Sequence, residues 1–119
     1  MHSTPQTRPA AVAGMFYPGS ASTLARDVRR MLATSAAPVA TRRRRVKAII
    51  APHAGYVYSG PIAASVYAPL AELAADIRRV VVLGPTHRVA VNGLALPAAS
   101  AFATPLGVVA VDQIGRAHV

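Results

Sequence analysis

Two short apolar runs, each stopped by proline, constrain this chain more than any other feature. Val46 to Ala51 ends at Pro52, and Arg79 to Leu83 ends at Gly84 and Pro85. Short, mostly apolar runs of this kind suit strands buried on both faces. The 27 residues between the runs include a helical stretch opening at Gly60 and Pro61. Pro61 is tolerated in the first turn of such a helix, Ile62, Val66 and Leu70 form its buried stripe, and Pro69 kinks or splits it. A connection of that length and type is a right-handed crossover, so the two strands are expected to be parallel. The expected class is therefore α/β, a mostly parallel sheet with flanking helices.

The remaining segments fit around this unit. Met1 to Thr7 reads as a frayed leader, and Arg8 to Pro18 as an apolar, irregular stretch lying extended against the body. Ser20 or Ser22 is a candidate N-cap, and Leu24, Val28, Met31 and Leu32 share one helix face, which predicts a helix over 21–34. Ser35 to Arg45, with Pro38 and four consecutive arginines, reads as an exposed connection. Gly93 to Pro97 and Leu106 to Val111 are two further expected strands, joined by a turn near Thr104 and Pro105.

Composition narrows the function classes. With 119 residues, 53% hydrophobic and only 14% charged, the chain is one domain at most, with a real core rather than a disordered tail. It contains no Cys, which removes disulfide scaffolds, thiol nucleophiles and Cys-based zinc sites from this stretch. Any metal must use His, Asp or Glu. The N-terminus has Pro5 and Pro9 and lacks an apolar signal region, and no run approaches the ~20 residues of a spanning helix. A soluble, cytoplasmic protein without membrane contact is expected. The formal charge of +9 comes from 13 basic against 4 acidic residues. Its densest cluster, Arg42, Arg43, Arg44 and Arg45, defines an alternative reading: a basic nucleic-acid- or peptide-binding module without catalysis. No aromatic is interleaved with those arginines, so a solvated linker is the better reading and nucleic acid is not the expected partner.

The chemistry is expected at two histidines. His53 lies two residues past the end of the first expected strand and His87 four past the end of the second. Both then project from the C-terminal edge of one parallel sheet, where open α/β folds bind ligands. Adjacent strands about 4.8 Å apart would let both imidazoles reach one ion. The alternative is that His53 bonds backbone in a turn while His87 is merely exposed. Two histidines are an incomplete site, because zinc or non-haem iron takes at least a third protein ligand. Asp112, the one carboxylate downstream of His87, reads as a turn residue. Tyr56, Tyr58 and Ser59 follow His53 closely and line the expected pocket, as does Thr86. Their hydroxyls are candidate donors to a bound oxyanion or substrate, although the tyrosine rings could equally pack on the crossover helix.

Four blocks carry a family resemblance: RPAAVAGMFYPG (8–19), APHAGYVYSGPIAASVY (51–67), VVVLGPTHR (80–88) and GLALPAASAFATPLGVVAVD (93–112). In this order the chain resembles the Memo family, of the AmmeMemoRadiSam system protein B type. The resemblance implies a fold similar to class III extradiol dioxygenases, of which this chain would be an incomplete half, with a non-haem metal pocket. His53 and His87 fall on the family's two metal-pocket histidines. A divalent metal, iron or zinc, is the implied cofactor, weakly bound by this chain because the family's later pocket residues have no counterpart in it. A small-molecule or peptide ligand and partners in the AmmeMemoRadiSam system are also implied, while a dioxygenase-related redox activity rests on fold analogy. Residues 114–119, IGRAHV, depart from the family and resemble a translated library adaptor. The expected organisation is therefore a partial domain over 1–113 followed by a non-native tail.

Overall fold

The structure, a computed structural model, describes residues 6–35 and 46–113. Most of the expected leader, the Arg42 to Arg45 cluster and the 114–119 tail lie outside the described residues. The described residues form a small α/β molecule with two α-helices and a three-stranded sheet. It divides into two compact units, Val12–Arg79 and a second made of Met1–Ala11 with Val80–Val119. Among the described residues, no helix is long and apolar enough to cross a membrane.

The Val12–Arg79 unit is helical. Helix α1 spans Ala21–Thr34, as the face of Leu24, Val28, Met31 and Leu32 predicts. Ser20, not Ser22, is its N-cap, and its hydroxyl accepts from the Thr23 N–H at 3.5 Å. At the other end the Ser35 N–H donates to the Met31 carbonyl at 3.1 Å, and the Thr34 hydroxyl donates to the Arg30 carbonyl at 3.0 Å. The Ser20 and Ser35 bonds satisfy groups that a helix end leaves unpaired. Leu24, only 4% exposed, is the centre of the buried face, while Val28, Met31 and Leu32 are half-buried.

Helix α2 spans Tyr56–Tyr67, so it begins before Gly60, and Pro61 lies inside it instead of in its first turn. Two bonds outside the helical repeat hold that early turn: the Tyr56 N–H donates to the Phe16 carbonyl at 2.7 Å, and the Ser59 hydroxyl donates to the Ala54 carbonyl at 2.8 Å. Beyond Tyr67 the chain tightens into a 3₁₀ helix over Ala68–Leu73, with Pro69 in its first turn. Pro69 thus splits the helical stretch, as expected. The expected stripe is corrected, since Ile62 is 62% exposed and the buried residues are Ser59, Gly60 and Ala64. Small residues face α1 because the helices approach closely. A Cβ on Gly60 would stand 2.6 Å from the Met31 Sδ, well inside van der Waals contact. Gly60→Val should therefore cost about 1–3 kcal/mol by overpacking and lower the helical circular dichroism signal on denaturant titration. Gly60→Ala should cost less, because the flexible Met31 thioether can swing aside.

The second unit contains the sheet, in the order β1-β2-β3. Strand β1 is Thr7–Arg8, β2 is Ala101–Thr104 and β3 is Gly107–Ala110. Thr7 and Arg8 pair in parallel with Ala101 and Phe102, whereas β2 and β3 form an antiparallel hairpin. The sheet is therefore mixed. The turn falls where Thr104 and Pro105 predict it. There the Leu106 N–H donates to the Thr104 hydroxyl at 3.1 Å, which in turn donates to the Gly107 carbonyl at 3.0 Å, and Gly107 adopts φ 138°. A hairpin this tight recruits the residues immediately before the turn. Its first strand is accordingly Ala101–Thr104, and Gly93 to Pro97 is not a strand. The Arg8 guanidinium stacks over the Phe102 ring at 5.6 Å, and the Ser100 N–H donates to the Gln6 carbonyl at 2.9 Å.

The largest correction concerns the two apolar runs. Neither 46–51 nor 79–83 is a strand; 79–83 is exposed throughout, and in 46–51 Ile50 meets solvent while Val46, Ile49 and Ala51 are half-buried, with Ile50 94% and Val81 85% exposed. A strand buried on both faces exists only where neighbouring strands complete its hydrogen bonds and helices cover it. Apolar composition supplies neither condition. The parallel βαβ unit expected from these runs is absent from the described residues.

Candidate functional site

A cleft of about 470 Å³ opens in the Val12–Arg79 unit. Its walls come from three pieces of sequence. Val12, Phe16 and Tyr17 supply one wall, Val28, Met31 and Leu32 of α1 a second, and Pro52 to Ala54 with Tyr56 and Ser59 a third. The lining is mainly apolar and aromatic, with His53 and the tyrosines as polar members, the usual make-up of a small-molecule site.

Local folding explains how the walls meet. Gly14 takes φ 81°, a left-handed conformation natural to glycine, and its N–H donates to the Tyr17 carbonyl at 2.8 Å. This tight turn presents Phe16 and Tyr17 to the cleft. The Phe16 carbonyl then receives the Tyr56 N–H, so the 12–18 stretch is joined to the start of α2. The rings of Tyr17 and Tyr56 lie 5.7 Å apart and are tilted by 44°, a favourable aromatic arrangement. Burial pushes the Tyr56 phenol pKa above its ordinary value, and the neighbouring Tyr17 and Tyr67 phenols push it in the same direction. Tyr56 therefore enters the cleft as a neutral phenol, a donor rather than an anion.

The residues singled out from sequence are distributed unevenly. His53, Tyr56 and Ser59 all line the cleft. Tyr58, two residues after Tyr56 and one before Ser59, points away and is 84% exposed, because residues one or two apart on a helix do not share a face. His87 and Thr86 are exposed residues of the irregular stretch before β2, in the other unit. Asp112 is exposed beyond β3. Among the described residues, no group of three or more His, Cys, Asp or Glu side chains gathers as a metal shell. Phe16, Tyr17 and Met31 are cleft residues that motif reading passed over. Their signal was the MFYPG segment, where two aromatics adjoin a turn, and the placement of Met31 on the buried face of α1.

The fold and cleft define a small α/β protein with an aromatic-lined pocket ahead of a helix. Residues 8–117 match the family described as Memo-like protein, and the chain belongs to that family. It is 40% identical over 107 residues to the protein memo-1 homolog of Caenorhabditis elegans, covering 90% of this chain and 29% of that protein. A MEMO1 family protein of Caldivirga maquilingensis is 36% identical over 112 residues, covering 90% of this chain and 39% of its own. Protein MEMO1 of Xenopus laevis is 40% identical over 106 residues, covering 89% and 34% respectively. The chain thus spans about a third of the length of these curated relatives.

Proposed function

We propose that this chain supplies His53 and His87 to the non-haem metal pocket of a Memo-like protein acting in the cytoplasm, whose activity is a metal-dependent redox or dioxygenase-related reaction on a small-molecule or peptide ligand. One observation carries the reading most. His53 lines an aromatic cleft of ligand size, beside Tyr56, in a segment that lies within the family match. The dioxygenase relation and partners in the AmmeMemoRadiSam system rest on family analogy.

Donor chemistry tests how far this chain goes by itself. Neutral imidazole is a standard ligand of zinc and iron. A protein site nevertheless needs at least three ligands, and the described residues bring no such set together. They do not by themselves fit a complete metal site. What the chain's own residues offer is a neutral phenol at Tyr56, an imidazole at His53, and the apolar walls of the cleft around them.

Isothermal titration of residues 1–119 with zinc(II) tests the reading. Weak binding is expected, with water filling the remaining positions. His53→Ala and His87→Ala should each weaken it by at least about tenfold, no less than the loss of an outer-shell partner. Unchanged affinity in both variants would reject the pocket, and tight binding by the parent chain would mean that further ligands are present.

A further inference from the structure

Ser59 is the one buried polar residue of the described chain, 6% exposed, and its hydroxyl is committed to the backbone. It donates to the Ala54 carbonyl at 2.8 Å and lies 3.4 Å from the Gly55 carbonyl oxygen. Those carbonyls belong to the two residues that follow His53. We propose that Ser59 is a positioning residue, one that holds the loop bearing His53 against the start of α2 instead of donating to a bound ligand. This assignment rests on the reading of His53 as a pocket residue.

Three features support it. A serine hydroxyl has one proton, and here the better-placed acceptor is a loop carbonyl inside the protein. The bond reaches back five residues, beyond the helical repeat, so it ties α2 to the loop and adds nothing to the helix itself. The loop is also held from the other side, where the Tyr56 N–H meets the Phe16 carbonyl at 2.7 Å. A Cβ on Gly55 would stand 3.4 Å from that same oxygen, so the glycine admits the close approach. Loop, 12–18 segment and α2 therefore converge on residues 54–56, and His53 leaves from that junction. Ser65 makes the contrast: its hydroxyl donates to the Ile62 carbonyl of its own helix at 2.6 Å and is solvent-exposed.

Hydrogen–deuterium exchange on metal-free residues 1–119, read by mass spectrometry at low micromolar concentration, tests the proposal. In Ser59→Ala the Tyr56 amide should exchange roughly three- to tenfold faster, the effect of losing one neutral hydrogen bond. The His53 imidazole C2–H should change its exchange rate, while the amides of α1 and the helical circular dichroism match the parent. Ser65→Ala should leave His53 and Tyr56 unchanged. Parent-like exchange at both His53 and Tyr56 in Ser59→Ala would overturn the assignment. Loss of protection throughout α1 and α2 would also overturn it, by making Ser59 a general packing residue. Because no metal is present, the result is independent of whether His53 proves to be a metal ligand in the zinc titration.

Discussion

Purified residues 1–119 should bind 1-anilinonaphthalene-8-sulfonate strongly, melt over a broad temperature range, and associate as concentration rises. The apolar runs are the reason. Ile50, Val80, Val81, Val82 and Leu83 are each at least 73% exposed. Burying a side chain of this size is worth roughly 1.5–3 kcal/mol, so five of them left in water forgo on the order of 10 kcal/mol. That equals the whole net stability of an ordinary domain, about 5–15 kcal/mol. Among the described residues the buried hydrophobic core consists of Leu24, Ala64 and Ala99, which is too little to offset the loss. Contiguous exposed Val and Leu also favour association between chains. Dye fluorescence, a thermal scan and sedimentation velocity read the three expectations. A monodisperse monomer with a sharp cooperative transition and weak dye binding would show that these runs are covered in solution.

Leu24→Ala should abolish most of the helical signal of the Val12–Arg79 unit. Leu24 is the buried residue of α1, and truncating a buried leucine to alanine costs about 2–5 kcal/mol through lost transfer energy and the cavity left behind. In a unit with so small a core, that cost exceeds what the remaining contacts can absorb. Leu24→Met, close in volume, should cost under about 1.5 kcal/mol and keep the helices. Far-ultraviolet circular dichroism under identical conditions compares the two. If Leu24→Ala retained the parent signal, the pairing of α1 with α2 would have to rest on other residues. The prediction bears on function as well, because Val28, Met31 and Leu32 on the same helix wall the cleft that His53 enters. Loss of α1 would remove that wall.

Where local chemistry decides, the sequence was easily read. Ser20 followed by an amphipathic run gives α1 its start and length, since the cap and the 3.6-residue period are both local properties. Pro69 divides the second helical stretch because its ring and missing N–H act wherever it stands. Thr104 and Pro105 mark the hairpin turn, although a run of apolar residues at Gly93 to Pro97 drew its first strand too far upstream. At the site, the block containing His53, Tyr56 and Ser59 was legible as a cluster. The opposite orientation of Tyr58 was not, because it depends on α2 beginning at Tyr56, and that start is fixed by a bond to Phe16, forty residues away in sequence.

By itself, then, the sequence determined the helix of 21–34, the break at Pro69, the turn at Thr104, and membership of the Memo-like family through motifs that run along most of its length. Only the tertiary structure decided the fate of Val46 to Ala51 and Val80 to Leu83, the small-residue face of α2 and the inward hydroxyl of Ser59. The physical reason is common to all three. Caps, prolines and tight turns satisfy or block backbone groups within a few residues, whereas a buried strand, a helix contact at Gly60 and a buried hydroxyl each depend on what a distant segment brings against them.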